Sequence, residues 1–146
     1  MPTAVSADPI SVANRLRPVL LKLNRELRRE IHSLGVTGGQ VSLLIQIQKS
    51  AGIGIRELAA RERMSVPGMS KYAARLESAG LIRKSELADK RRVGLELTDE
   101  GERVLLSVKR RRTAWLADRL RGLDPGELEA VDAAVEPLLR LLEVDA

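Results

Sequence analysis

The apolar residues near the start of the chain recur every three or four positions, which is the period of an α-helix. Asp8 followed by Pro9 is typical of a helix start, because the carboxylate caps free amides and proline suits the first turn. Pro18 lies inside the pattern and predicts either a kink or a start near it. Gly35 is a favourable helix end. The apolar face of this first helix consists of Leu16, Leu20, Leu23, Leu27, Ile31 and Leu34.

Three shorter helices are predicted between residues 37 and 80. The first opens with the capping-box pattern of Thr37 and Gln40. After a break at residues 50–54, the second helix covers about residues 55–63. Ser65 caps the third helix, which ends at Ala79 and Gly80. The residues expected to face inward are Val41, Leu44, Ile45 and Ile47 on the first helix, Leu58 and Ala59 on the second, and Val66, Met69, Ala73 and Leu76 on the third.

The period then changes from that of a helix to that of a strand. Residues 81–85 form a short apolar segment, and a charged turn follows at residues 86–91. In residues 92–97, apolar and other side chains alternate, which is typical of a half-buried strand. The sequence therefore predicts a two-stranded β-hairpin, in whose second strand Val93, Leu95 and Leu97 alternate with Arg92, Gly94 and Glu96.

Two more helices are predicted after the hairpin. Thr98 caps the first, which continues to Gly122, and Asp124 with Pro125 opens the last. The first carries apolar residues at Val104, Leu105, Val108, Trp115, Leu116 and Leu120. The last carries a regular stripe of Leu128, Val131, Val135, Leu138 and Leu142. Together with the face of the first helix, this stripe predicts a dimer interface, and an intramolecular core is the alternative.

The composition of the chain limits the fold classes and the kinds of partner that are expected. The 146 residues suit one domain, and only 1% are aromatic, so the core must be aliphatic, which favours helix packed on helix. The formal net charge is +5, and it is unevenly distributed. Residues 55–93 hold ten Lys or Arg against five acidic residues, whereas residues 113–146 hold three against eight. A basic central region favours a polyanionic partner.

The sequence lacks the residues that several functional classes of protein need. The chain has no Cys and a single histidine, His32, so thiol chemistry is excluded and we expect no metal or other cofactor. We find no nucleophile with a base, no paired carboxylates at a plausible spacing and no glycine-rich phosphate loop, so an enzyme is not expected. Neither a signal-peptide pattern nor a long apolar run is present, and a cytoplasmic location is expected.

The central region combines two helices joined by a tight turn with a hairpin, an arrangement that suits DNA binding. The second helix can enter the major groove, where Ser70, Lys71 and Arg75 can donate hydrogen bonds to bases or phosphates. Arg91 at the hairpin tip can enter a narrow minor groove, with Asp89 orienting its guanidinium. The residues that we expect to contact DNA are Ser65, Pro67, Gly68, Ser70, Lys71, Arg75, Asp89, Lys90, Arg91 and Arg92.

A series of short motifs runs through this region, each weak alone but specific in this order and spacing. They are Glu57-Leu58-Ala59, Ser65, Leu76-Glu77 with Gly80-Leu81, Asp89 with Arg91, and Leu97-Thr98 with Gly101. The run from Ile55 to Leu105 thereby resembles the DNA-binding core of the MarR family (multiple antibiotic resistance regulators). The sequence departs from the family pattern in two places: Gly54 stands where a Ser or Thr cap is frequent, and Pro67-Gly68 opens the recognition helix.

The resemblance implies a mostly α fold with a small β-hairpin wing, in which a winged helix-turn-helix core is flanked by N- and C-terminal dimerisation helices. We expect a single domain, 1–146, with dimerisation helices at 1–35 and 113–146 and the DNA-binding core at 37–105. The expected function is that of a homodimeric transcription repressor, which binds a pseudo-palindromic site on double-stranded DNA sequence-specifically and is released by a small-molecule effector. The alternative is a winged-helix module that binds another protein. The predicted dimer interface comprises Leu16, Leu20, Leu23, Leu128, Val131, Val135, Leu138 and Leu142.

Overall fold

The computed structural model describes residues 7–85 and 94–143, and these form six α-helices and a small antiparallel sheet. They divide into two compact units, Met1–Arg111 and Arg112–Ala146. The expected fold class, mostly α with a small β-structure, is confirmed. In chain order the elements are α1 (Pro9–Arg29), a 3₁₀ turn (His32–Leu34), α2 (Gly38–Lys49), β1 (Ile53–Gly54), α3 (Ile55–Arg61), α4 (Val66–Ser78), β2 (Ile82–Ser85), β3 (Gly94–Leu97), α5 (Asp99–Arg121) and α6 (Pro125–Glu143).

Helix α1 begins as predicted but ends earlier. The Asp8 carboxylate accepts a hydrogen bond from the Ser11 amide at 3.1 Å, and the helix continues through Pro18. It ends at Arg29, and the 3₁₀ turn then leads to Gly35, which has a left-handed backbone. The apolar period persists beyond the helix because Ile31, between the two elements, is completely buried in the core.

The core of the first unit is aliphatic and gathers side chains from α2, α3, α4 and the sheet. Two positions differ from the prediction. Leu43 is 2% exposed, because α2 packs against both α3 and β3 and therefore buries more than one stripe. Val66 is 42% exposed, since it occupies the first position of α4, where the inward face has not yet reached the core. The residues that were predicted to face inward and are buried in the structure are Val41, Leu44, Ile47, Leu58, Ala59, Met69, Ala73 and Leu76. Ile45, also predicted to face inward, is partly buried and packs against this core.

The sheet has three strands in the described residues, rather than the two of the predicted hairpin. Strand β1 comes from the segment predicted as a break, and the order is β1-β3-β2, antiparallel throughout. Ile53 lies opposite Leu95, and Gly54 lies opposite Gly94. A Cβ on Gly94 would collide with the backbone carbonyl of Gly52, so only glycine allows this close approach.

Gly54 offers the first testable prediction, because it is the N-cap residue of α3 and makes no side-chain cap. Its backbone is extended, and an added Cβ would meet nothing within 4 Å. We expect Gly54→Ser to raise the free energy of unfolding by about 0.5 kcal/mol, through the cap and through a less flexible unfolded chain. Urea denaturation measures this as a higher midpoint at unchanged slope. Gly54→Ala supplies the Cβ alone, and an equal gain in that control would refute the capping argument.

Candidate nucleic-acid interface

Helix α4 presents one buried face and one exposed face. Met69, Ala73 and Leu76 are buried, at successive steps of four and three. The predicted contact residues lie on the remaining surface: Pro67, Ser70, Lys71 and Arg75 are exposed, and Gly68 is half-buried. Within residues 7–85 and 94–143, the side chains of Ser70, Lys71 and Arg75 make no hydrogen bond or ion pair. Their donors are therefore available to a partner.

The first turn of α4 is regular despite its Pro67-Gly68 opening. The Ser65 hydroxyl accepts a hydrogen bond from the Gly68 amide at 3.1 Å, as an N-cap does. A Cβ at Gly68 would come within 2.9 Å of that hydroxyl oxygen, so glycine leaves room for the cap. Pro67 suits the first turn, because its missing N–H is not needed there. Ser65 thus fixes where the exposed face of α4 begins.

The end of α4 is fixed by a Schellman motif. Gly80 has a φ of 77°, its amide donates to the Glu77 carbonyl at 2.9 Å, and the Leu81 amide donates to the Leu76 carbonyl at 3.0 Å. Leu76 and Leu81 are both buried beside this turn. The sequence motif Leu-Glu-x-x-Gly-Leu therefore ends α4 and fixes where the following strand, β2, begins.

Thr98 connects the end of α4 to the start of α5. Its amide donates to the Leu81 carbonyl at 3.1 Å, and its hydroxyl donates to the Gly80 carbonyl while accepting from the Gly101 amide. A Cβ on Gly101 would overlap the Leu81 carbonyl. The motif Leu-Thr-x-x-Gly thus holds α4, β2 and α5 in close backbone contact, which leaves α4 little freedom to tilt.

The turn between α3 and α4 is also held by specific contacts. The Met64 amide donates to the Ala59 carbonyl at 2.8 Å, and Arg63 has a left-handed backbone with φ of 53°. From α2, the Ser42 hydroxyl donates to the two Glu62 carboxylate oxygens, at 3.1 and 3.3 Å. These bonds hold the turn between the two helices of the helix-turn-helix and attach it to α2.

The wing is described only at its base. Arg83 on β2 and Glu96 on β3 lie opposite each other and form an ion pair of 2.6 Å. Arg83 is thereby engaged within the sheet, whereas Lys84 is exposed. Asp89, Lys90, Arg91 and Arg92, the predicted wing-tip residues, lie outside the described residues, so their assignment stays a prediction.

Helices α1 and α6 bury none of their side chains in the single chain. On α1, Leu20 and Leu23 are 44% and 37% exposed, and Leu16 is half-buried. On α6 the predicted stripe is also uncovered: Leu128, Val131, Val135 and Leu142 are exposed, and Leu138 is half-buried. The sequence prediction omitted other exposed apolar residues, namely Val19 and Leu21 on α1 and Leu139 and Leu141 on α6.

A groove of about 440 Å³ lies in the second unit, between the end of α5 and the first half of α6. Its apolar lining comes from Leu120, Leu128, Val131 and Val135. Nearby, the guanidinium of Arg119 lies 5.1 Å from the centre of the Trp115 ring, which is half-buried. Trp115 thus has a packing role within this unit, and His32, in the 3₁₀ turn, is exposed.

Between residues 7 and 85 and between 94 and 143, no three His, Cys, Asp or Glu side chains cluster in a way that could hold a metal ion. No helix in the same ranges is long and apolar enough to cross a membrane.

Comparison with known proteins gives consistent matches. The family model of the MarR family matches residues 36–93, which include α2, α3 and α4. The HTH-type transcriptional repressor MdtR of Bacillus subtilis is 28% identical over 143 residues, covering 96% of this chain and 92% of that protein.

Two solved structures extend the comparison over nearly the whole chain. A Pseudomonas aeruginosa PA01 protein described as a transcriptional regulator is 32% identical, with a TM-score of 0.77, covering 94% of this chain and 97% of that one. A mutant of MepR from S. aureus, bound to an oligodeoxyribonucleotide, has a TM-score of 0.67 at 19% identity, covering 89% and 96%. The similarity to MepR supports a shared fold and nothing beyond it.

Proposed function

Since the chain belongs to the MarR family of transcription regulators, which are not enzymes, we propose that it binds double-stranded DNA sequence-specifically as a homodimer and represses transcription. The observation that carries the proposal is the exposed face of α4. Ser70, Lys71 and Arg75 are exposed and have no partner among the described residues, while both ends of the helix are fixed by hydrogen bonds. A rigid helix with free donors on one face is what major-groove recognition needs.

The proposed interface divides contacts by their role. Lys71 and Arg75 bind phosphates or base edges, and Ser70 adds a neutral donor or acceptor in the groove. Small residues at the start of α4, Pro67 and Gly68, allow its first turn to approach the base pairs closely. On the wing, Arg91 enters the minor groove, where the potential is most negative, and Asp89 orients it. Lys90 and Arg92 add phosphate contacts.

A second copy of the chain completes the proposed function. The exposed apolar residues of α1 and α6 become the dimer interface, and the two copies of α4 then meet successive major grooves about 34 Å apart. Such a dimer recognises a pseudo-palindromic site and represses by occupying a promoter. MdtR, a repressor by its name, supports this direction of regulation. Release of the dimer by a small-molecule effector, implied by the family resemblance, stays a prediction.

The function is tested by binding of the purified protein to a duplex from upstream of its own gene, compared with a scrambled duplex of equal length. We expect tight, saturable binding of the upstream duplex by one dimer, with an affinity that falls steeply as salt rises. Weak, equal binding of both duplexes would contradict sequence-specific recognition and would favour a winged-helix module that binds another protein.

The proposed wing contact makes a separate prediction. We expect Arg91→Ala to weaken binding of the specific duplex by roughly 1–3 kcal/mol, because a guanidinium in the minor groove is lost. Fluorescence anisotropy at fixed salt measures the change. The matched control is Arg103→Ala, which removes the same charge from an arginine already paired with Glu100 at 2.6 Å. Unchanged binding by the Arg91 variant would refute the wing assignment.

A further inference from the structure

We propose that Arg63, in the turn between α3 and α4, binds a phosphate of the DNA backbone. The inference rests on the proposed function, and it adds a contact residue that the sequence pattern did not indicate. It starts from backbone geometry. Among the described residues, Arg63 is the one non-glycine residue with a positive φ, at 53°. The other left-handed positions in the same ranges are Gly35, Gly52 and Gly80.

The conformation of Arg63 is one that favours glycine. Its amide donates to the Ala60 carbonyl at 3.3 Å, and the next amide, of Met64, donates to the Ala59 carbonyl at 2.8 Å. This is the Schellman pattern that also ends α4, where the equivalent left-handed residue is Gly80. An L-residue with a side chain is strained in this conformation, and residues strained in this way are frequent at binding sites.

The part of the chain that the structure describes gives Arg63 no role that would offset this strain. Arg63 is exposed, and among residues 7–85 and 94–143 its guanidinium has no hydrogen bond or ion pair. By contrast, Arg61 on α3 bonds Glu57 at 2.8 Å and Ser50 at 2.9 Å. The neighbouring carboxylate of Glu62 is engaged by the Ser42 hydroxyl. The strained residue therefore carries a free cation.

The position of Arg63 suits a phosphate contact. It lies two residues before Ser65, the N-cap of α4, and so at the same end of the helix as Pro67 and Gly68, where α4 is proposed to approach the base pairs. The bonds from Ser42 to Glu62 hold the turn, so the backbone that carries the guanidinium is already ordered before binding. A guanidinium keeps its charge at all working pH values and presents several N–H donors in a plane, which matches the oxygens of a phosphodiester.

The test compares Arg63→Gly and Arg63→Lys with the wild type in a titration of the specific duplex over a range of salt. In the proposed dimer the substitution removes one phosphate contact from each half-site, and two lost contacts lower the slope of log affinity against log salt by about 1.8. We therefore expect Arg63→Gly to bind about 30-fold more weakly at about 0.15 M salt and about 200-fold more weakly at about 0.05 M. The lysine variant keeps the charge and most of the affinity. Arg121→Gln is the control for net charge, since Arg121 is paired with Asp118 at 2.8 Å.

Thermal unfolding separates the proposed contact from a structural role. Relief of the left-handed strain is expected to raise the Tm of Arg63→Gly by about 2–4 °C while its DNA affinity falls. A structural residue would not give opposite changes in stability and binding. The inference is overturned if Arg63→Gly keeps the wild-type salt slope, if its Tm falls, or if Arg121→Gln loses as much affinity. A wild-type protein without salt-dependent DNA binding would instead overturn the proposed function itself.

Discussion

Replacing Gly101 with alanine is expected to lower the free energy of unfolding by about 3 kcal/mol. Gly101 lies buried in the first turn of α5, and an added Cβ would overlap the carbonyl oxygen of Leu81. That oxygen also accepts the Thr98 amide at 3.1 Å, so the collision involves backbone on both sides. Backbone atoms cannot rotate away as a side chain can. The strand β2 and the helix α5 must therefore separate, at the cost of packing and of the Thr98 bond.

Gly126→Ala is the matched control for this prediction. Gly126 also lies in the first turn of a helix, α6, but its added Cβ would come no nearer than 3.4 Å to the Asp124 carboxylate. Alanine is the better helix former, so this variant is expected to gain about 0.5–1 kcal/mol. Urea denaturation of both variants measures the expected loss in the free energy of unfolding for Gly101→Ala and the expected gain for Gly126→Ala. A Gly101→Ala protein as stable as the wild type would show that α4 is not held through this contact.

Replacing Val135 with aspartate is expected to convert the dimer into monomers. Val135 is 48% exposed in the single chain and lies in the middle of the apolar stripe of α6, where it lines the groove with Leu128 and Val131. In the proposed dimer the new charge is buried, and the twofold axis introduces it twice. An unpaired buried charge costs about 3–5 kcal/mol, so the dissociation constant should rise more than about a hundredfold.

Sedimentation at micromolar concentration measures this change. The wild type is expected at twice the chain mass of 16.1 kDa, and the Val135 variant at the chain mass. Ala133→Asp is the control, because Ala133 is exposed on the opposite side of the same helix, two residues away. A monomeric wild type, or a Val135→Asp protein that remains dimeric, would contradict the dimer interface.

The sequence predicted those elements whose signals are local. The cap residues Asp8, Thr37 and Ser65 all accept the hydrogen bonds expected of them, and Gly80 ends α4 as its sequence indicates. Strand β1 was missed because two residues have no period, and its pairing with β3 depends on chain 40 residues away, at Gly94. Contacts of that kind arise from packing and leave no local pattern.

The candidate site was predictable by elimination, but only in part. Removing the inward positions of α4 leaves Ser70, Lys71 and Arg75, and the structure places all three on the exposed face. Arg63 could not be found in this way, because a left-handed φ at a non-glycine residue is a property of the fold. In the sequence, Arg63 is one of several basic residues in a basic region, and nothing distinguishes it from the others.

Selection of binding sites from a pool of random duplexes tests whether α4 recognises a specific DNA sequence. The purified protein is incubated with the pool at physiological salt, and the bound duplexes are amplified and sequenced. We expect enrichment of one pseudo-palindromic sequence with half-sites about ten base pairs apart, and loss of that enrichment in a Lys71→Ala, Arg75→Ala protein. A pool that stays random with the wild type, or an enriched site that the double variant selects equally well, would contradict recognition of DNA by α4.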